Sequence, residues 1–252
     1  MVLVLAAAAI ALAGCLRSEI TIHVRPDGSG EVIERFTVKH DIAQMLAEIA
    51  AMTGDTEFSL ADEDELREKA QAMGEDVAFV SVEPLAGSWG EGYEVRYRFE
   101  DINTLRVDQN PSDNLPVNDN EPSVYEYLTF GFEHGDPATL TVHLPQPEDV
   151  VSEAEDPPSP QEIEAAAQHY EDMLIQVRIE LAGTLVDTDA EYYTANSVTL
   201  LDLDFNRILA NPELSRAVFT NQAASLAEIR ELTGDSGGFE VESKDRVTVR
   251  FR

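Results

Sequence analysis

Lysine is nearly missing from this chain: it occurs at Lys39, Lys69 and Lys244 and nowhere else. Lysine and arginine together number 17, against 49 Asp plus Glu, for a formal net charge of −32. A surface of that sign repels phosphate backbones, so nucleic acid is excluded as a partner. The bland reading of the charge is adaptation to salty surroundings, where screening relieves self-repulsion; the sharper one is cation binding. Cysteine is scarcer still. Cys15 is the only one, so no intramolecular disulfide and no thiol pair is available. No apolar run approaches the roughly 20 residues that span a bilayer as a helix.

Chemical motifs are missing too. The histidines are His23, His40, His134, His143 and His169, and no two have the spacing of a metal site. Ser29 lies between glycines, but a nucleophile elbow needs G-x-S-x-G between a strand and a helix. No cofactor fingerprint occurs, and no cofactor is expected. Two weak acidic patterns remain. Asp108, Asn110 and Ser112 alternate as in a calcium loop, but Asp113 stands where glycine is needed and Asp119 where a bidentate Glu is usual. Asp202 and Asp204 share one strand face opposite Leu201, Leu203 and Phe205; such a pair binds a cation, works as acid and base, or is simply solvated.

What is present begins with an uncharged leader, MVLVLAAAAIALAG, followed by Cys15. A short apolar segment ending in small residues marks an export signal. Its basic n-region is missing, so a start upstream of Met1 is expected. Leu12-Ala13-Gly14-Cys15 resembles a bacterial lipobox. That resemblance implies a diacylglyceryl group on the Cys15 sulfur, cleavage before Cys15 and acylation of the new amine. Acyl chains on one residue anchor firmly, since each buried CH₂ contributes roughly 0.8 kcal/mol. The implied location is the cell envelope, outside the cytoplasm; in a Gram-negative cell, Leu16 rather than Asp after the cysteine implies the outer membrane.

Strand signals dominate the remainder. Ile20, Ile22 and Val24 alternate with polar residues, and Pro26-Asp27-Gly28-Ser29-Gly30 turns the chain into a returning strand at 32–38. The first strand is expected about four residues after Cys15, leaving a tether of about 15 Å at most. Asp41 with Gln44 resembles a capping box opening a helix, and a second helix is expected over 62–73 with Leu66, Ala70 and Met73 inward. Strands follow at 77–82 and 93–99, the latter half-exposed, with Tyr93, Val95, Tyr97 and Phe99 on its core face. A turn-rich loop occupies 108–122, and a hairpin joins 128–132 to 140–144. Residues 145–159 are acidic and proline-rich, a linker. A helix capped by Ser159 is expected to reach Leu174. Strands at 175–181 and 198–205, helices opened by Asn211-Pro212 and Ser225, and a closing hairpin of 239–241 with 247–251 complete the chain.

The expected class is α+β with mainly antiparallel sheets and helix pairs, in two ββααββ units that form a possible pseudo-repeat. The division is a signal peptide at 1–14, an N-terminal unit at 15–144, the linker at 145–159 and a C-terminal unit at 160–252, or a single domain over 15–252.

Several stretches carry a family resemblance: Leu12-Ala-Gly-Cys-Leu16, Arg25-Pro-Asp-Gly-Ser-Gly30, 92–103 (GYEVRYRFEDIN), 198–205 (VTLLDLDF) and the closing RVTVRF. They resemble a group of bacterial envelope lipoproteins, and 180–186 with its partner strand resembles the LppM-type lipoprotein domain. The resemblance implies a lipid anchor and an α+β ectodomain, and it supplies no catalytic residues. The leading expectation is a non-enzymatic lipid-anchored module, bound to the membrane through Cys15, that binds an envelope protein or lipid. The alternatives are a carrier of apolar ligands, a hydrolase using paired carboxylates, and a calcium-dependent module.

Overall fold

The computed structural model describes residues 16–53, 58–109, 127–145, 170–219 and 238–252. They form an α+β fold with two mostly antiparallel sheets. The first stretch is a hairpin, β1 (Leu16–Val24) and β2 (Gly30–Lys39), paired from Leu16↔Val38 to Val24↔Gly30. Its turn needs glycine: Gly28 has φ +81°, and a Cβ there would lie 2.9 Å from the Phe132 ring. Asp27 accepts from the Ser29 amide and hydroxyl, closing an Asx turn. Even-numbered positions of both strands are buried, so the period-two pattern sets the inner face.

Helix α1 (His40–Thr53) continues from β2, and α2 (Glu63–Met73) follows. The expected cap of α1 shifts: the helix starts at His40, and Asp41 lies inside its first turn, its carboxylate taking the Ile42 amide. Helix α2 forms as expected. Asp62 caps the amides of Asp64 and Glu65, Gly74 ends the helix, and Leu66, Ala70 and Met73 face inward. Strands β3 (Val77–Ala86) and β4 (Gly90–Phe99) return, β4 lying against β2. After a 3₁₀ turn at Ile102–Thr104 come β5 (Arg106–Asp108), β6 (Tyr127–Glu133) and β7 (Ala138–His143), the last two a hairpin.

The second half runs β8 (Leu174–Leu181), β9 (Leu185–Thr188), β10 (Ser197–Asp204), α3 (Phe205–Ala210), α4 (Pro212–Phe219), β11 (Phe239–Val241) and β12 (Arg246–Phe251). The end of the helix expected to reach Leu174 is overturned: residues 170–173 form a turn, with Asp172 at φ +71°, and Leu174 is the first residue of β8; residues 159–169 of that helix and the Ser225 helix lie outside the described residues. The closing hairpin is overturned. β11 pairs with β10 in one sheet, while β12 pairs with β7 and β9 in the other. The cause lies at the corner between them. Glu242 is buried and takes the Glu191 and Lys244 amides, so the chain crosses from sheet to sheet instead of folding back.

The seven-stranded sheet has the order β11-β10-β8-β1-β2-β4-β3, and the five-stranded sheet β5-β6-β7-β12-β9. β1 and β8 are parallel neighbours from Arg17↔Leu174 to Val24↔Leu181. One apolar core joins inner-face residues of both sheets to the helices. The pseudo-repeat is not confirmed: β1 to β4 lie together in one sheet, whereas β8 to β12 are divided between both.

The three lysines each tie distant segments. Lys69 of α2 donates to both carboxylate oxygens of Glu34 in β2 at 2.9 and 2.8 Å, and Glu34 is only 2% exposed. Lys39 pairs with Asp172 at 3.2 Å. Lys244 donates to the Asp189 carbonyl. In a chain this acidic, its few ammonium groups are placed at tertiary joints.

Candidate functional site

Odd-numbered residues of β1 and β2 point away from the core, and even-numbered residues of β8 join them. Across the centre of the seven-stranded sheet they line a groove of about 190 Å³: Glu19, Thr21 and His23 from β1, Ile33 and Arg35 from β2, Arg178 and Glu180 from β8. Cross-strand register explains the grouping. Glu19 faces Arg35, Thr21 faces both Ile33 and Arg178, and His23 faces Glu31 on one side and Glu180 on the other. His23 Nδ1 is 3.3 Å from the Glu180 carboxylate. Arg178 bonds the Gln176 side chain.

Arg35 donates through Nε to Glu94 at 2.7 Å, and Arg96 donates to the other oxygen of the same carboxylate. Glu94 is 8% exposed, so the expected half-exposed character of β4 fails at this position; two guanidinium groups cover it. Burial pushes its carboxyl up, but the hydrogen bonds from Arg35 and Arg96 outweigh burial and hold it below the ordinary glutamate value. The groove therefore presents both signs of charge, with a single apolar side chain, Ile33.

At the end of the sheet where β1 starts lies a second cluster. Arg17 stacks its guanidinium 4.2 Å from the centre of the Trp89 ring and donates to the Asp172 carbonyl at 3.2 Å. Asp172 has φ +71°. Its carboxylate accepts from Asn206 at 3.0 Å and pairs with Lys39. The Asn206 bond, with that from Lys39, outweighs burial and holds this carboxyl below the usual aspartate value. Strand, hairpin turn and helix start are thus locked to the first residues of β1.

The residues singled out from sequence separate in space. Cys15, Asn110 and Ser112 lie outside the described residues; Asp108 ends β5. Asp202 and Asp204 share a strand but not a task. Asp204 caps α3 through the Asn206 and Arg207 amides and pairs with Arg207 at 3.2 Å, so its oxygens are engaged. Asp202 accepts from Gln176 at 3.0 Å and faces Glu240 of β11 directly. Burial, then the Asp202 charge, push the Glu240 carboxyl above its ordinary value, with Arg207 opposing. The closely facing carboxylates are therefore Asp202 and Glu240, and the cross-strand register that makes them neighbours has no signature in local sequence. His23 lines the groove, His40 bonds the Gly87 carbonyl, His134 packs edge-on against Phe132, and His143 is exposed; His169 lies outside the described residues. Among the described residues no group of three or more His, Cys, Asp or Glu is arranged to hold a metal ion, and no helix is long and apolar enough to cross a membrane.

No family model matches this chain, and no curated protein matches it. Among solved structures, the NMR structure of the folded domain of the Mycobacterium tuberculosis LppM protein is similar over 76% of this chain and 84% of that one. Identity there is 12% and the TM-score 0.32.

Proposed function

We propose that this chain is a lipid-anchored extracytoplasmic module that acts by binding a polar partner on the outer face of its seven-stranded sheet, without catalysis of its own. The groove over β2, β1 and β8 carries the reading. It is lined by acid, base and imidazole side chains, a surface suited to hydrogen-bonded and ionic recognition rather than to an acyl chain, which favours apolar walls. That lining favours a binding module over a carrier of apolar ligands. The paired-carboxylate hydrolase loses support because Asp204 is spent on a helix cap. The anchor reading rests on the lipobox at 12–15 and on the single thiol at Cys15.

Two measurements test it. Intact-mass analysis of membrane-extracted protein is expected to give an acylated N-terminal Cys15, and Cys15→Ser is expected to release the protein to the soluble fraction. Crosslinking in intact envelopes is expected to capture a specific partner with the native chain and to lose it with Arg178→Glu. Capture of bulk protein alone, unchanged by that substitution, overturns the binding reading.

A further inference from the structure

We infer that the end of the domain carrying Arg17 and Trp89 rests on the headgroup layer of the membrane, so that the seven-stranded sheet stands on the bilayer with its β-strand ends down. The inference rests on the anchor reading above and adds an orientation to it. The expected four-residue tether is absent: residue 16 is already the first residue of β1 and is 3% exposed. One peptide unit places consecutive Cα atoms 3.8 Å apart, whereas the headgroup layer is about 5–8 Å deep on each side of the hydrocarbon. A lipid on Cys15 therefore brings the start of β1 to headgroup level, together with whatever is locked beside it.

What is locked beside it fits that location. The only tryptophan of the chain stands there, in the uncharged turn Gly87-Ser88-Trp89 between β3 and β4. Arg17 lies across its ring, and Lys39 is joined to the same cluster through Asp172. The Trp89 ring is half-buried with its N–H enclosed, and a tryptophan beside basic side chains is a composition found at membrane–water interfaces. Glu91 and Glu171 are exposed at the same end, so the surface that fits is zwitterionic lipid and not a strongly anionic one. The opposite end of the hairpin, the Arg25–Ser29 turn, carries no aromatic residue and points away along β1.

The single tryptophan is its own probe. The acylated full chain, reconstituted in phosphatidylcholine vesicles whose lipids are brominated near the headgroup, is expected to lose about half of its tryptophan fluorescence or more relative to unbrominated vesicles. A Trp89→Phe, Pro26→Trp double variant, which moves the reporter to the far turn, is expected to lose none. Equal quenching at both positions, or none at Trp89 in protein that carries the acyl mass and floats with the vesicles, overturns the orientation while leaving the anchor standing. Protein with no acyl mass that does not float overturns the anchor, and the orientation falls with it.

Discussion

The β2–β4 seam and the β10–β11 seam belong to one sheet, and each sets a glutamate in a cross-strand pair. At the first, Glu94 faces Arg35 and is also gripped by Arg96. At the second, Glu240 faces Asp202. The same carboxyl group is held ionised at one seam and pushed toward its neutral form at the other. Burial raises both carboxyls; at Glu94 the two arginines outweigh it, whereas at Glu240 the Asp202 charge adds to it. In a chain of net charge −32 the scarce basic side chains are therefore the variable that distinguishes one region from another. The inner face supplies the extreme case, where one lysine serves one carboxylate inside the core.

The sharpest break is expected there. Lys69→Met removes the ammonium group that bonds both oxygens of the buried Glu34 carboxylate, and urea unfolding is expected to show a loss of about 3–5 kcal/mol. A Glu34→Met, Lys69→Met double variant is expected to recover most of it; no recovery would show that Lys69 contributes by packing alone. Next, Glu94→Gln removes the charge both arginines share. Arg35 and Arg96 are 52% and 38% exposed, so the expected loss is about 1–2 kcal/mol at neutral pH. Because the folded Glu94 value is lowered, its stabilisation is complete above the ordinary glutamate value and is lost as pH falls below about 4.3. The variant is expected to lack that part of the acid slope.

Tyr97 contributes a smaller term of opposite sign. Its hydroxyl is buried with no hydrogen-bond partner among the described residues, and burial, with the Glu34 charge behind it, pushes its ionisation far up. Tyr97→Phe is expected to keep stability or raise it by up to about 1 kcal/mol. A loss beyond 1 kcal/mol would reveal a bond made in solution. The least effect belongs to the acid seam. Asp202→Asn removes a like charge directly opposite Glu240, for an expected gain of about 0.5 kcal/mol near neutral pH. A raised folded value means that stability declines as pH rises from about 4.3 through it, so that decline is expected to flatten in the variant. An unchanged profile would place the cause in burial alone.

Local pattern was readable where one face of one element decides the outcome. The alternation of β1 and β2, the core face of β4, the inward stripe of α2 and the Asn211–Pro212 helix start all follow from near neighbours in sequence, and so does the α+β class. What escaped depends on pairing at a distance. β11 and β12 have hairpin spacing, yet buried Glu242 sends them to different sheets. The groove was invisible for the same reason: its seven side chains come from three strands, one of them contributed by the other half of the chain. His23 has no acidic neighbour at metal-site or pair spacing in the sequence, because Glu31 and Glu180 become its neighbours only through register. Asp204 looked free because a strand position one residue before a helix is also a capping position.

The parallel contact between β1 and β8 has a mechanical consequence. The strand that leads directly from Cys15 is internal to the sheet, hydrogen-bonded to β2 on one side and β8 on the other along its length. A pull on that end along the strand loads both ladders in shear, all bonds at once, whereas an edge strand peeled from its tip yields them one by one. Arg17 adds a stitch to residue Asp172, which is 155 positions away along the chain. A load applied along β1 would therefore be borne by the sheet in its strongest direction.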